Sequence, residues 1–406
     1  MNSSSILVVN AGSATLKCAL YINTDGILTE EISFHFDQLQ KKLTIKTQDD
    51  DTKKVAENFS PHDSSQFFKS ALEYVVDAVR HYFNAAPLIA VGHRVVHGGH
   101  IFKKPAVITK ESFQAMKSLE SLAPLHQPYN LEGAIYCAAL FEDIPQIACF
   151  DTSFHQNHPP VADLYALPYE FYEQGIRRYG FHGLSYEYIS SYLGTHHKDL
   201  INGRIIIAHL GSGASLCALK EGRSVDSTLG FTALDGLPMG TRPGQLDPGI
   251  LLYLLDQGLT PPMISDILYK KSGLLGISGL TPDMRLLEAS DNPRAHLAID
   301  YFVHRVSREI GGLVVSLGGL DGLVFTAGIG ENSPYIRARI VEKLRCFGLF
   351  LDEESNTKGQ TLISSSTSNA SILVIPTNEQ EQIAHQCIHL SQSLEDSAFS
   401  THTSRE

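Results

Sequence analysis

Two segments of fifteen residues, one near the start of each half of the chain, follow one pattern. Residues 6–20 are ILVVNAGSATLKCAL and residues 205–219 are IIIAHLGSGASLCAL, with six identities in an ungapped alignment. Each has an apolar run, a Gly-Ser turn and a second run rich in strand formers, which is typical of a β-hairpin. We therefore predict a duplicated α/β fold with two glycine-lined turns facing one cleft. The alternative is a chance match between two common strand–turn–strand segments.

The length and charge of the chain limit its class. With 406 residues the chain is too long for one ordinary core, so two domains are expected. Hydrophobic residues make up 43% and charged residues 19%, which is typical of a globular protein. A net charge of −12 argues against a nucleic-acid or anionic-membrane partner. An acidic chain that binds an anion must gather its few cations locally, which draws attention to any arginine beside a glycine turn.

The cysteines and the first residues of the chain bear on the cellular location of the protein. The six cysteines show no CxxC pair and no tight His/Cys spacing, so we expect small buried apolar side chains rather than disulfides or zinc ligands. The start, MNSSSILVV, lacks a basic region, and its apolar run is too short for a signal peptide. No run reaches the roughly 18 apolar residues of a membrane span. We therefore expect a cytoplasmic protein without a membrane partner.

Apolar spacing predicts the main elements. One predicted strand ends in a turn that carries Arg94, and another has Asp151 just past its end, where α/β units usually place their chemistry. The polar tail from about residue 392 is expected to be disordered. The predicted helices and strands lie at 66–84, 88–99, 144–155, 297–317 and 372–376.

The segment FTAGIGENSP at 325–334 is the strongest local signal. A strand that ends in Gly-Ile-Gly and opens a helix, with Ser333 as N-cap and Pro334 as first residue, points backbone N–H groups at an anion. It is neither a Walker A loop nor a dinucleotide fingerprint, and alone it also fits a plain turn. Together with the turns at 10–13 and 211–213 it makes three phosphate-sized loops, which favours a nucleotide ligand.

Arg94 in GHRVVHGG and Arg242 in GLPMGTRPG each lie among glycines. A guanidinium fork matches the oxygens of a carboxylate or a phosphate, so the pair favours an anionic substrate. Either arginine alone also fits a structural role, satisfying loop carbonyls. His126 and His182 lie in loops bounded by Pro or Gly and are candidates for catalysis or for ordinary hydrogen bonding.

Two acidic residues follow predicted strands. Asp151 and Glu379 are candidate anchors for Mg²⁺, which takes one or two protein carboxylates and keeps most of its waters. The alternative is that both are turn or capping acids, and Glu379 also fits the start of a helix over 379–390. Four further histidines are expected at the surface, namely His155, His158, His196 and His197.

These motifs together resemble the acetate kinase family over almost the whole chain and in the family's order. The resemblance implies the actin/sugar-kinase/Hsp70 superfamily, with two duplicated ribonuclease-H-like (actin-like ATPase) domains around a central cleft. It implies an acyl-substrate domain of residues 1–150 plus 385–406, a nucleotide-binding domain of residues 151–384, and a homodimer. Its implied ligands are acetate, ATP or ADP, and Mg²⁺, with Mn²⁺ as a possible substitute. The matching motifs are VVNAGSATLK, GHRVVHGG, LAPLHQP, FDTSFH, RRYGFHG, HLGSG, MGTRPG, SGLLGISG, FTAGIGENS and PTNEQ.

The resemblance also implies roles for individual residues. Arg94 and Asn10 would approach the transferred phosphoryl group and the carboxylate, while Arg242 and His182 would stabilise the transition state. Asp151 would orient the carboxylate or hold the metal. The implied catalytic residues are Arg94, His126, Asp151, His182 and Arg242, and the implied metal anchors are Asn10 and Glu379. The implied nucleotide-binding residues are Asn10, Ser13, Lys17, His209, Gly211, Ser212, Gly213, Asp283, Met284, Arg285, Gly328, Ile329, Gly330, Glu331 and Asn332. The implied acyl pocket comprises Arg94, Val96, Leu125, Phe181 and Ala233.

The chain departs from the family pattern at several loop positions. Ser212 replaces an asparagine beside the nucleotide, and Tyr186 replaces a histidine. Ala233 replaces a proline of the acyl pocket. One methylene in such a pocket changes the binding free energy by only about 1–3 kcal/mol, so propionate also becomes a candidate substrate. The other departures are Leu184, Pro243 and Gln245.

Three alternative functions remain. A propionate or butyrate kinase would use the same machinery. A sugar kinase fits less well, because two arginines in glycine-rich turns suit a carboxylate better than a neutral polyol. A non-catalytic nucleotide switch of the actin or Hsp70 kind would not require both Arg94 and Arg242.

Overall fold

A computed structural model describes residues 3–12, 15–38, 42–48, 50–57 and 67–403, with the backbone alone at 50–57 and 395–403. The strands are β1 (Ser3–Ala11), β2 (Thr15–Thr24), β3 (Ile27–Asp37), β4 (Lys42–Thr47), β5 (Asp50–Glu57), β6 (Leu88–Val95), β7 (Ala106–Val107), β8 (Gln146–Phe150), β9 (Arg204–Leu210), β10 (Ala214–Lys220), β11 (Arg223–Ser227), β12 (Gly322–Thr326) and β13 (Ser371–Val374).

The helices are α1 (Phe67–Val79), α2 (Lys110–Lys117), α3 (Gln127–Leu140), α4 (Pro160–Asp163), α5 (Tyr169–Glu173), α6 (Gly183–His196), α7 (Lys198–Ile201), α8 (Pro248–Asp256), α9 (Pro261–Lys270), α10 (Gly273–Ser278), α11 (Met284–Glu288), α12 (Pro293–Leu317), α13 (Ala327–Asn332), α14 (Pro334–Lys343), α15 (Glu353–Thr357) and α16 (Glu379–Thr403). None of the helices described here is both long and apolar enough to cross a bilayer.

The chain divides into two units. The first comprises residues up to Ser153 together with those from Asn378 onward, and the second is Phe154–Thr377. Asp151 and Glu379, which the sequence analysis put in the second domain, therefore belong to the first unit. The assignment of an acyl-substrate role to one domain and a nucleotide role to the other stays a prediction.

Both units are built on sheets with the same strand order. The first sheet runs β5-β4-β3-β2-β1-β6-β8-β7 and the second β11-β10-β9-β12-β13. In each, two antiparallel hairpin strands are followed across the sheet by two strands parallel to the first of them. The two predicted hairpins are confirmed as β1–β2 and β9–β10. The sequence repeat therefore reflects a duplicated sheet.

The two hairpins differ by one residue in register. Cys18 is opposite Val9 in the first, whereas Cys217 is opposite Ile207 in the second, one position earlier in the aligned sequence. The turn of the first hairpin is one residue longer. The structural repeat therefore needs a one-residue gap that the ungapped sequence alignment does not show.

The first sheet is covered by apolar helix faces. α1 buries a face at helical spacing, as its sequence predicts, and ends at Val79, after which a 3₁₀ turn continues to Asn84. α16 packs on β6 so closely that a Cβ atom at Gly92 would lie 2.6 Å from both Ile383 and Cys387. The C-terminal helix is therefore part of the core of the first unit.

The second unit contains α12, the longest helix within it. Its sequence predicts a helix over 297–317, and the helix begins earlier, at Pro293, because the Asn292 side chain accepts a hydrogen bond from the Arg294 N–H. Asn followed by Pro is a helix-start signal. The helix ends at Gly318, whose φ of 71° is easily adopted only by glycine.

Several sequence-based expectations are wrong. The tail from residue 392 is helical as far as Thr403, because α16 contains no Gly or Pro after its buried anchor residues Ile383 and Cys387. Arg94 lies within β6 rather than in the following turn. All six cysteines lie in described residues and are free thiols, but Cys346 is exposed rather than buried.

Two of the histidines expected at the surface are buried. His155 and His158 are 2% and 7% exposed, and both contact the Ser224 hydroxyl, at 2.8 and 2.7 Å. Burial lowers the pKa of His155 to about 3, so this imidazole is neutral. Their shared partner, Ser224, lies on a distant strand, β11, which the local sequence does not indicate.

Candidate active site

The end of β6 and the end of β8 bring Arg94 and Asp151 together. The two strands are parallel neighbours, and the Asp151 N–H donates to the Val95 carbonyl at 3.1 Å. Arg94 Nη2 lies 2.8 Å from Asp151 Oδ2, and Nε lies 3.2 Å from both carboxylate oxygens. Asp151 therefore fixes the plane of the Arg94 guanidinium.

Glu379 completes this arginine-centred cluster. It is the first residue of α16, and its Oε2 lies 3.1 Å from Arg94 Nη1. The Asp151 side chain is 1% exposed, and those of Arg94 and Glu379 are 18% exposed. Burial raises the pKa of Asp151 against the opposing effect of Arg94. Burial also disfavours the charge on Arg94, but Asp151 and Glu379 outweigh it and raise the Arg94 pKa.

Asn130, which the sequence analysis missed, ties two strand ends of the first unit together. Its Nδ2 donates to the Ala11 carbonyl at 2.6 Å, and its Oδ1 accepts from the Val96 N–H at 3.1 Å. A buried amide at the start of a helix has no local sequence signature, because both of its partners are distant in the chain.

The remaining predicted residues of the first unit occupy known positions in the fold. Asn10 is opposite exposed Lys17 in the β1–β2 hairpin. His126 directly precedes α3 and, like Leu125, is half-buried. Val96 is buried. Ser13, a predicted nucleotide contact, lies outside the described residues.

In the second unit, three predicted residues converge at the turn of the β9–β10 hairpin. A Cβ atom at Gly213 would lie 3.0 Å from Arg242 Nη2 and 3.3 Å from His182 Nε2. A side chain at this position would crowd both the guanidinium and the imidazole, so glycine keeps the space between them open. The Gly240 N–H donates to the Ser212 carbonyl at 3.1 Å and fastens the turn to the loop that carries Arg242.

Arg242 is a half-buried cation. Its Nη1 donates to the Ala233 carbonyl at 2.7 Å, and no carboxylate of the described residues forms an ion pair with it. Burial lowers the pKa of Arg242 to about 10, partly opposed by Tyr269, so the guanidinium stays charged at neutral pH. A desolvated cation of this kind gains from a bound anion.

His182 is held in an unusual backbone conformation. Its φ of 57° and ψ of 24° place it in the left-handed region just before α6, which is uncommon for a residue other than glycine. Its Nδ1 lies 2.7 Å from the Ser215 hydroxyl of β10. This contact leaves Nε2 on the side of Gly213 and Arg242.

His209 stacks on His182, with ring centroids 4.2 Å apart. Its Nδ1 lies 2.9 Å from the Ser185 hydroxyl, which in turn lies 2.8 Å from the Thr377 hydroxyl. Sequence reasoning missed these hydroxyls, since Ser185 and Thr377 are 192 positions apart.

The glycines of the GIG segment lie inside a helix rather than in a loop. β12 ends at Thr326, and α13 follows directly from Ala327, whose φ is 64°. Glu331, a predicted nucleotide contact, accepts from the Ala327 N–H at 2.7 Å and from the Thr377 N–H at 3.1 Å. Its carboxylate therefore caps its own helix and ties it to the chain after β13.

The hairpin turn and α13 are neighbours. A Cβ atom at Gly211 would lie 3.6 Å from Ala327 Cβ and 3.9 Å from the Gly328 nitrogen. Gly328 and Asn332 are exposed, Ile329 is half-buried and Gly330 is buried. The glycine-rich turn thus faces the first turn of α13.

Two predicted site segments begin helices: Ser333 is a helix cap, as predicted, and Asp283, a predicted nucleotide contact, is also one. Ser333 accepts from the Ile336 N–H at 3.1 Å, and Pro334 is the first residue of α14, as the sequence predicts. Asp283 caps α11 by accepting from the Arg285 N–H at 2.9 Å and also pairs with the Arg285 guanidinium. Met284 is buried, and Arg285 is exposed.

A cavity of about 570 Å³ lies beside the Arg242 loop. None of the predicted nucleotide-binding residues lines it. Its lining comprises Pro243, Lys271, Ser272, Gly273, Gly276, Ile277, Leu297 and Tyr301.

The described residues contain no cluster of three or more His, Cys, Asp or Glu side chains placed for a metal ion. Magnesium does not require one, because it takes one or two carboxylates and keeps water ligands. The carboxylates of Asp151 and Glu379 and the amide oxygen of Asn10 are hard oxygen donors of the type it prefers. The donor chemistry of the first unit therefore fits Mg²⁺.

The chain is similar to known proteins over nearly its full length. A model of the acetokinase family matches residues 5–385. An acetate kinase of Nitrobacter hamburgensis is 48% identical over 388 residues, which are 95% of this chain and 96% of that protein.

Solved structures agree with this similarity. A propionate kinase of Francisella tularensis matches with a TM-score of 0.85 and 38% identity, over 94% of this chain and 98% of that one. The acetate kinase of Porphyromonas gingivalis matches with a TM-score of 0.82 and 34% identity, over 95% of this chain and 99% of that one. With the repeated strand order, these matches identify the two units as duplicated actin-like ATPase domains. The chain therefore belongs to the acetokinase family.

Proposed function

We propose that this chain reversibly transfers the γ-phosphoryl group of ATP to the carboxylate of acetate, giving acetyl phosphate and ADP. The observation that carries the proposal is the convergence of Arg242 and His182 at Gly213, without a carboxylate ion pair to Arg242 among the described residues. Hydrogen-bond donors at a glycine turn suit the oxygens of a phosphoryl group. The name of the Nitrobacter hamburgensis relative, acetate kinase, supports the same activity.

The chemistry requires little besides positioning. A carboxylate is already a nucleophile and needs no strong base, so catalysis rests on alignment and on neutralisation of charge in the transition state. Arg242 and His182 donate to the equatorial oxygens of the transferred group, with His126 assisting. The turn at Gly211–Gly213 holds the nucleotide phosphates.

The first unit supplies the acceptor side of the reaction. Asp151 holds the guanidinium of Arg94 in one plane, and Arg94 receives the acetate carboxylate. Asn10 and Glu379 would hold Mg²⁺, or Mn²⁺ in its place. When bound, the ion neutralises charge on the nucleotide phosphates.

Substitution of the two arginines tests this proposal. In Arg94→Ala and Arg242→Ala, acetate-dependent turnover should fall by about 10²–10³-fold, because each removes a charged donor, while nucleotide affinity is retained. Arg345→Ala is a control, because Arg345 is exposed and, within the described part of the chain, its one ion pair is with neighbouring Glu342. Unchanged turnover in both variants would contradict the acyl-kinase mechanism. Nucleotide binding without acetate-dependent turnover in the unmodified protein would indicate a nucleotide switch.

Propionate is the second candidate substrate. Ala233 stands where the family resemblance places a proline, and a matching solved structure is a propionate kinase. We propose that Phe181 and Ala233 contact the acyl group of the substrate. A smaller side chain at position 233 leaves room for one more methylene.

We also propose that the protein is a cytoplasmic homodimer. The residues of α8 support a contact with a second copy, because none of them is buried and four large apolar side chains among them are exposed. They are Ile250, Leu252, Tyr253 and Leu255, between 42% and 65% exposed.

A further inference from the structure

A hydrogen-bonded chain runs from a buried tyrosine to the catalytic histidine. Tyr186 lies on α6, one turn after His182, and is completely buried. Its hydroxyl contacts the hydroxyl of Ser215, which contacts His182 Nδ1 at 2.7 Å. Ser215 is 1% exposed, so water does not compete for these contacts. The family resemblance places histidine at position 186, so this series of hydrogen bonds depends on a residue in which the present sequence departs from the family pattern.

The direction of the chain follows from the available acceptors. Burial raises the pKa of Tyr186 well above its ordinary value, so the phenol keeps its proton. In the described part of the structure, Ser215 Oγ is the only hydrogen-bond partner of that hydroxyl. Tyr186 must therefore donate to Ser215, because a buried hydroxyl hydrogen without an acceptor is costly. The single hydrogen of Ser215 is then left for His182 Nδ1.

A histidine that accepts at Nδ1 carries its proton on Nε2. Nε2 is the atom that faces Gly213, alongside Arg242 Nη2. The ring of His209 also stacks on this imidazole, and Arg242 Nη2 faces the same turn. His182 thus presents an N–H group, and not a lone pair, to the same space as the guanidinium.

We propose that Tyr186 is a positioning residue that acts through Ser215 to hold neutral His182 in its Nε2–H tautomer, ready to donate to the transferred phosphoryl group. This inference rests on the proposed phosphoryl transfer. The opposite tautomer would turn a lone pair toward the phosphoryl oxygens and repel them. A tyrosine suits this role because its hydroxyl hydrogen has one available acceptor among the described residues, the Ser215 hydroxyl oxygen, and this fixes the direction of both hydrogen bonds.

Histidine ¹⁵N NMR of the nucleotide-free protein tests the tautomer directly. At about pH 8, above the ordinary histidine pKa, unmodified protein should show His182 with a protonated Nε2 and an unprotonated Nδ1. A His182→Gln spectrum assigns the signals. In Tyr186→Phe the Nδ1–H form should become populated, because Ser215 is then free to accept. Tyr192→Phe, on the same helix, is the matched control, since the Tyr192 hydroxyl makes no hydrogen bond to any described residue.

Turnover supplies the second measurement. Tyr186→Phe should lower kcat by about 10- to 100-fold, as for other groups that orient a functional imidazole, with little change in KM. Ser215→Ala should show the same tautomer change, and adding Tyr186→Phe to it should cause no further loss. An Nδ1–H or charged His182 in the unmodified protein, or an unchanged tautomer in Tyr186→Phe, would overturn the proposal. If no acid is phosphorylated, the proposed function fails, whereas the NMR result still decides the tautomer.

Discussion

Arg94 and Arg242 stand in opposite electrostatic surroundings. Arg94 is bridged by two carboxylates, Asp151 and Glu379, whereas no described carboxylate pairs with half-buried Arg242. The pKa of Arg94 is raised and that of Arg242 is lowered to about 10. We interpret Arg94 as a group held in one orientation for its ligand. We interpret Arg242 as a cation whose desolvation cost is offset when a phosphoryl group binds beside it.

Ala233 offers a test of acyl selectivity at a single residue. Ala233→Pro should raise the ratio of kcat/KM for acetate over propionate by about 10-fold or more, because one methylene in an apolar pocket is worth about 1–3 kcal/mol. Acetate turnover should remain, since a proline keeps the carbonyl that holds Arg242. Ala233→Gly, which adds no wall to the pocket, is the control. An unchanged ratio in Ala233→Pro would remove residue 233 from the acyl pocket.

Among the elements, the turn of the β9–β10 hairpin makes the most specific demand on the sequence. Gly213→Ala should lower kcat strongly, because the new methyl group would lie 3.0 Å from Arg242 Nη2 and 3.3 Å from His182 Nε2. Thermal unfolding should change little, since the crowded atoms border the ligand space. Gly312→Ala, toward the C-terminal end of α12, where nothing outside the helix lies within 4 Å of the added Cβ atom, is the control and should stabilise the protein by about 0.5–1 kcal/mol. Full activity of Gly213→Ala would contradict the site geometry.

Elements with a local signature were predictable from the sequence. The β1–β2 and β9–β10 hairpins, α1, most of α12 and the Ser333 cap follow from apolar spacing and cap residues. The contacts that orient the site were not predictable. Ser215 reaches His182 across 33 positions and Asn130 reaches Ala11 across 119, so only the folded chain reveals them. Similarity to the family motifs predicted several site residues but not the hydrogen bonds that hold them in place.

At the scale of the whole molecule, the exposed apolar face of α8 predicts self-association. Leu252→Asp should convert the dimer into a monomer, because a charge buried in an apolar contact is costly. Light scattering or sedimentation should then give the chain mass of 44.6 kDa instead of twice that value. Val315→Asp, at a site 78% exposed on α12, is the control and should stay dimeric. A monomeric unmodified protein, or a dimeric Leu252→Asp, would contradict this surface.

The most direct test of the whole account is trapping of acyl phosphate with hydroxylamine in the presence of Mg-ATP. Acetate, propionate and butyrate are compared at matched concentrations, with an acid-free control for plain ATP hydrolysis. We expect acid-dependent acyl phosphate, with acetate the preferred acceptor, and its loss in Arg242→Ala. Equal or better turnover of propionate would reassign the substrate and point to Ala233. The absence of acyl phosphate with every acid would contradict the central claim that these two units form a carboxylate kinase.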